Sequence, residues 1–221
     1  VIGDDGTVGG KAITAANNSG IRAKNCIVHS NSDFELKNLA TVEAGAPRAA
    51  GVAIGAGFTP AANSGALKLT DPFRGRAIAP SADCTTVPDG GAQVRSAGTV
   101  SLPPGLHRVE YTMTGTSILK LEPGEHYFCK SLKLRGQGRL EGDDVLLMFT
   151  GGNALEANQS SSVSLSGRQS GLWAGFVIVA TRGNYANFSI ASSNVDKLLG
   201  TIYLPMTRLQ VSATGDVAES S

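Results

Sequence analysis

Few residues in this chain have chemistry to offer, and their spacing limits it. His107 and His126 hold the same place in two similar stretches, which raises the question of a metal pair. No carboxylate or thiolate stands at a matching position, and two imidazoles alone make a poor site. They are expected as half-exposed residues at strand starts. His29 lies in a polar Ser/Asn stretch with no evident partner and is read the same way. Glu141, Asp143 and Asp144 form the densest acidic group. Solenoid enzymes that cleave acidic polysaccharides draw such carboxylates from successive coils, to bind calcium or to act as acid and base. Here the acids share one Glu-Gly-Asp-Asp turn, and a solvated turn is expected. Gly55-Ala56-Gly57 lacks the following helix that phosphate binding needs, and no serine stands in a Gly-x-Ser-x-Gly elbow. No catalytic residue, cofactor or metal site is expected.

Cys26, Cys84 and Cys129 show no C-x-x-C spacing and no histidine at zinc-finger distance. One disulfide in an oxidising compartment and three buried thiols in a reducing one both fit the count. Lys133, Arg135 and Arg139 share strand parity, but Glu141 and Asp143 continue it and cancel the charge, so a neutral solvated face is expected. Thr112, Thr114 and Thr116, and again Ser162, Ser164 and Ser166, make rows of small hydroxyls of the kind that order water or bind ice. One threonine row is not a surface. With only Trp173 and four tyrosines, stacking platforms for sugars are thinly supplied.

The elements that must carry these residues follow from composition. The chain has 221 residues, enough for one β-rich domain with its own core. Charged residues make up only 17% and glycines number 28, which argues against coiled coils and long helical bundles and for short strands joined by tight turns. The net charge of +1 gives no field that calls for nucleic acid or an anionic membrane. The longest apolar run, Leu172 to Ala180, is about half the ~18 residues that span a bilayer. The chain opens on Val1 and is expected to be an excised piece, with any anchor or signal lying upstream.

A near-repeat sets the fold. Leu102-Pro103-Pro104-Gly105-Leu106-His107 recurs as Leu121-Glu122-Pro123-Gly124-Glu125-His126. In each, a leucine ends one strand, Pro-Gly turns and a new strand begins. A period near twenty residues fits one coil of a β-solenoid, whose coils stack to bury their inner faces. Leu132 and Leu134 alternate with Lys133 and Arg135; Val163 and Leu165 alternate with serines; Leu209, Val211 and Ala213 alternate with Gln210 and Ser212. The expected fold is all-β, an irregular single-stranded parallel β-solenoid over residues 25–221, with residues 1–24 as a lead-in. The N-terminal third completes or caps it. Only 33–44 could hold helical turns, and its alternation suits a strand equally. Asp71-Pro72-Phe73 and the Pro80 to Pro88 stretch read as a surface crossing between two parts of one domain. Val145 to Phe149 and Phe176 to Ala180 are apolar on both faces, so something must cover them, either the N-terminal segment or a partner.

The order of motifs carries a resemblance. Cys26-Ile27-Val28-His29-Ser30-Asn31-Ser32 is followed by the Gly-rich 50s, Asp71-Pro72-Phe73 and Pro80 through Cys84. The two Pro-Gly turns, Gly142-Asp143-Asp144-Val145 and Gly200-Thr201-Ile202-Tyr203-Leu204-Pro205 complete the series. From residue 25 to about 215 it resembles the extracytoplasmic C-terminal region of TadG-type, Tad-like Flp pilus-assembly proteins of bacteria. The resemblance implies a minor-pilin-like, non-enzymatic component of a tight-adherence pilus system. It would be tethered to the inner membrane by an N-terminal helix absent from this sequence, face the periplasm and act through other pilus subunits. It brings no catalytic residues. Family members often pair the equivalent of Cys84 with a cysteine after the first Pro-Gly turn; here His107-Arg108 stands there, and Cys129 follows the second turn. The mate expected for Cys26, near Ala53, is missing. The resemblance therefore implies a Cys84–Cys129 disulfide with Cys26 outside it. The two-sided strands make Leu146, Met148, Phe176 and Ile178 the candidates for a partner interface. Two other readings are carried: a secreted solenoid binding ice or carbohydrate, and a polysaccharide-degrading β-helix enzyme.

Overall fold

The structure, a computed structural model, describes residues 11–78, 84, 89–158, 160–191, 194–211 and 216–218. Pro80 to Pro88 apart from Cys84, and Ser212 and Ala213, lie outside the described residues. The described residues hold strands and turns with no helix, and the strands stack as a parallel β-solenoid of about nine coils. The segment 33–44 is strand, turn and strand.

The coils are not stacked in chain order. Three two-strand coils come first: β1 (Lys11–Ala15) with β2 (Gly20–Ser30), β3 (Asp33–Leu36) with β4 (Thr41–Ala49), and β5 (Ala53–Ile54) with β6 (Phe58–Thr59). After a crossing with no strands among its described residues, three-strand coils follow. They are β7 (Ala92–Arg95), β8 (Thr99–Leu102) and β9 (Gly105–His107); β10 (Glu110–Met113), β11 (Ile118–Leu121) and β12 (Gly124–Phe128); and β13 (Leu132–Leu134), β14 (Arg139–Gly142) and β15 (Val145–Phe149). Next come β16 (Leu155–Ala157), β17 (Ser162–Ser166) and β18 (Phe176–Ala180), then β19 (Asn187–Ile190), β20 (Asn194–Leu199) and β21 (Thr201–Tyr203), and last β22 (Arg208–Val211) and β23 (Asp216–Ala218).

One sheet runs the length of the stack in the order β5-β3-β1-β22-β19-β16-β13-β10-β7. The first coil therefore pairs with the last, β1 on β22 and β2 on β23, both in parallel. The boundary expected at residue 24 is corrected by this pairing: Lys11 to Ala23 already belong to the stack, between the coil of β3 and that of β22. From β6 the chain must travel back along the solenoid, roughly 40 Å at the 4.8 Å strand spacing, to reach β7.

Local chemistry explains why strands stop where they do. At the first corner of four coils the chain turns left-handed, at Asn17 and Asn18 (φ 57° and 59°), Asn38 and Leu39 (φ 49° and 65°), Gly115 (φ 54°) and Gly136 (φ 55°). Asparagine tolerates this conformation and glycine favours it. Two residues past the first left-handed one, a small residue is buried: Ser19, Ala40, Ser117 and Gly138; Ser161 is buried at the corner between β16 and β17. The Ser117 hydroxyl receives the Thr114 N–H at 3.0 Å and reaches the carbonyls of Thr114 and Arg95 at 2.7 and 2.9 Å, so the buried corner keeps its polar groups paired.

Inward columns then fill the interior. Val100, Leu119, Leu140 and Val163 stack in register, as do Tyr111, Leu132 and Leu155, and Phe128 on Phe149. Nearly all of these are buried. The Pro-Gly repeat holds in the first of its two strands, where Leu121 pairs with Leu102. It slips by two residues in the second, where His126 pairs with Gly105 and His107 with Phe128.

Candidate functional site: the strapped outer face

The sheet β9-β12-β15-β18-β21 carries the two-sided strands, and several of the sequence motifs converge on its outer face. Leu146, Met148, Phe176, Val179 and Tyr203 are buried together with Trp173, and Tyr127, Phe73 and Ile78 pack on them. Phe73 and Ile78 come from the crossing segment, which lies over the sheet as a strap. The rings of Phe73 and Phe176 meet edge to face at 4.9 Å, and those of Phe73 and Tyr203 at 5.3 Å.

Polar contacts hold the strap by its backbone. Arg182 donates to the carbonyls of Arg76 (2.9 Å) and Phe73 (2.5 Å) and to the Tyr203 hydroxyl (3.0 Å). Tyr203 in turn donates to Asp71 Oδ2. Burial, and then that hydrogen bond, push the Tyr203 phenol well above its usual range. The Arg76 guanidinium lies 5.1 Å from the Trp173 ring centroid and 5.4 Å from that of Phe176, and donates to the Leu172 carbonyl at 2.9 Å. Farther along the crossing, Cys84 is bonded to Cys129, just after β12. Thr150 donates to the Cys84 sulfur at 3.1 Å. At the other end of the strap Asn31 receives the Leu69 N–H and donates to its carbonyl, at 2.8 and 2.7 Å. His29, buried, bonds Asn31 Oδ1 at 2.8 Å. The histidine read as lacking a partner therefore supports the pin that starts the strap.

This geometry corrects the interface expectation. Leu146, Met148 and Phe176 do face outward, but the chain's own strap covers them. Ile178 faces the interior instead, among the inward core residues, because the register shifts between Phe176 and Ile178 where β18 meets β21. Cys26 sits exposed on a bulge of β2, outside the disulfide; between Ala23 and Ile27 the pairing with β4 shifts. Gly45 faces that bulge, where a Cβ would stand 3.0 Å from the Lys24 carbonyl oxygen.

The remaining candidates are engaged structurally. Asp143 accepts from Lys197 and Ser166, both at 2.7 Å, and these bonds hold its carboxyl below the usual range. Asp144 takes Arg168 at 2.6 Å and the Gln169 N–H at 2.7 Å. Glu141 pairs with Arg139 at 3.3 Å. The acids thus meet cations, and no group of three or more possible metal ligands gathers among the described residues. Lys133 and Arg135 pair with Glu110 and Glu156 of neighbouring coils. Only Thr112 of the three threonines lies on a strand, with Val94 and Lys133 as register neighbours. Ser162 and Ser164 stack on Arg139 and Glu141. Charges thus interrupt both hydroxyl rows that an ice-binding face would need.

His107 and His126 differ most from expectation, being buried and in contact. Their rings stack at 5.1 Å, with His107 Nε2 2.9 Å from His126 Nδ1. Compared with known proteins, the chain matches no family model, no curated protein and no solved structure.

Proposed function

We propose that the protein is a non-enzymatic, minor-pilin-like component of a bacterial Tad/Flp tight-adherence pilus system. On this proposal it is held on the periplasmic side of the inner membrane by a helix outside this sequence and acts through contacts with other pilus-assembly subunits. One observation carries the reading: the motifs behind the resemblance are parts of one device. Asp71-Pro72-Phe73 is the strap, Cys84 and Cys129 form its disulfide, and Gly200-Thr201-Ile202-Tyr203 docks it. A disulfide suits the oxidising envelope. Because the strap seals the two-sided strands, partner contacts fall to surfaces left open, such as Ile27 on the β2 bulge (53% exposed) and Leu172 beside the strap (67% exposed).

The experiment is deletion of the gene, complementation with the full-length protein, and fractionation of the complemented cells. The proposal expects the protein in the inner-membrane fraction, loss of surface pili on deletion and their return on complementation. A freely secreted product, or pili unaffected by deletion, overturns it.

A further inference from the structure

The coil β7–β9 is the last strand of each of its three sheets, so a single interface holds it to the body. That interface is thinly apolar. The inward columns of Tyr111 and Leu132, and of Met113 and Leu134, end on Gln93 and Arg95, and all four residues of β7 are exposed. Leu102 is buried and Val100 partly so. The remaining inward position of note is His107, facing His126 across the β9–β12 boundary.

The proton inventory of this pair is fixed by its partners. His126 Nε2 is 2.8 Å from the Glu122 carbonyl, which can only accept, so Nε2 carries hydrogen. In the neutral pair His126 Nδ1 is then the acceptor and His107 Nε2–H the donor. One added proton can be absorbed: it sits on His126 Nδ1 while His107 moves its own hydrogen to Nδ1, and the bridge survives reversed. A second proton leaves N–H facing N–H, and the pair becomes two like charges in contact.

The surroundings offer little relief. Glu122 gives its backbone oxygen and a carboxylate charge that offsets only part of the desolvation of His126, and Glu125 accepts from Tyr127 on the outer side. The register neighbours of the two histidines on β9, β12 and β15 are Gly105, Phe128 and Leu147. Tyr111, the inward titratable group of β10, is kept uncharged by burial.

We propose that the His107–His126 pair makes β7–β9 an acid-released end coil, which parts from β10–β12 when both imidazoles are charged while the rest of the solenoid stays folded. The coil swings and is not lost. It leaves through Arg108 into β10, and it is entered from Cys84, which the disulfide ties to Cys129 at the end of β12. Opening breaks, among others, the bond from the Cys129 N–H to the His107 carbonyl (2.8 Å) and uncovers the parallel edges of β10, β11 and β12.

The direction of the pH effect follows from burial. Desolvation, and next the charge of His126, depress His107 to about 4 from 6.5; desolvation also lowers His126. The folded coil therefore binds fewer protons than the open one. Its stability is complete above the unfolded value of 6.5 and drains away as pH falls toward 4.

The test is hydrogen exchange by mass spectrometry on the oxidised protein at about pH 7 and about pH 4.5, with rates corrected for intrinsic exchange. Protection over 92–107 is expected to fall about tenfold or more in acid, while 139–180 keeps its protection. The double variant H107F/H126L, which continues the Phe128 and Leu147 columns, should lose the acid effect. In parallel, imidazole nitrogen NMR of the unsubstituted protein should show no more than one ring charged at about pH 6, with hydrogen on His126 Nε2. Unchanged protection at 92–107 in acid overturns the proposal, as does loss spread evenly over all coils. The same acid loss in a folded double variant, or two charged rings at about pH 6 with the coil still protected, overturns it too.

Discussion

Tyr203 Oη donates a 2.5 Å hydrogen bond to Asp71 Oδ2 across 132 residues of sequence. It joins β21 to the strap, and Arg182 completes the knot with bonds to Tyr203 and to two strap carbonyls. Replacing Tyr203 by Phe keeps the ring contact with Phe73 and removes the hydroxyl, leaving Asp71 and Arg182 each short of a partner. The expected loss is about 1–2 kcal/mol in chemical denaturation. F73A, which removes the strap's apolar anchor, should cost about 3 kcal/mol. A Y203F protein as stable as wild type would show that the strap is not held this way.

Leu146 and Met148 have no exposed surface, although they lie on the outer side of the sheet. A carboxylate at either place is buried without a partner, which costs several kcal/mol. L146D and M148D should therefore fail to give a cooperatively folded protein, and L146A should cost about 2–4 kcal/mol. A soluble L146D protein with an unchanged melting temperature would contradict the cover that Phe73 and Ile78 provide.

Two glycines allow the coils to approach at their corners. A Cβ at Gly57 would stand 2.0 Å from the Ala40 carbonyl oxygen, and one at Gly138 2.4 Å from that of Met113. Gly152 has nothing within 4 Å of the same added atom. G57A and G138A should lower the melting temperature by several degrees, while G152A leaves it nearly unchanged. Equal effects at all three positions would rule out this stacking register.

The disulfide spans 45 residues of sequence. By loop-closure entropy such a bond is worth up to about 4 kcal/mol. C129S should lower the unfolding free energy by about that amount or less and move the denaturation midpoint downward, and reduction of the wild-type protein should do the same. A midpoint indifferent to reduction would mean that the crossing segment does not depend on the bond.

Much of this architecture is legible in residue patterns, and the gaps have physical causes. Strand alternation and the Pro-Gly turns announce a solenoid because burying one face of each coil demands them. A subtler signal lies at the corners. Ala16-Asn17-Asn18-Ser19-Gly20-Ile21 and Lys37-Asn38-Leu39-Ala40-Thr41-Val42 share a pattern with Thr114-Gly115-Thr116-Ser117-Ile118-Leu119 and Arg135-Gly136-Gln137-Gly138-Arg139-Leu140. A left-handed residue is followed two places later by a small buried one. That pattern places the first coils in the same stack and moves the boundary away from residue 24. The pairing of β1 with β22 has no local signature, since it depends on which coil ends are left open. Apolar faces on Val145–Phe149 announce a cover without naming it; the choice falls to Phe73 and Ile78 through contacts about 70 to 100 residues distant. Alternation alone misplaces Ile178 because a register shift inverts strand parity. The two histidines share the parity of the inward Phe128, which a slip of two residues preserves; the expectation of half-exposed strand starts put their polarity above that parity.

The most direct test of a sealed solenoid that works through its open surfaces is photo-crosslinking in cells. A diazirine amino acid close to methionine in size would replace Met148, Ile27 or Leu172 in turn in the full-length protein. The account predicts that positions 27 and 172 form adducts with other envelope subunits, while position 148 forms adducts only within the chain, on the strap. Intermolecular adducts from position 148, with none from 27 or 172, would contradict it.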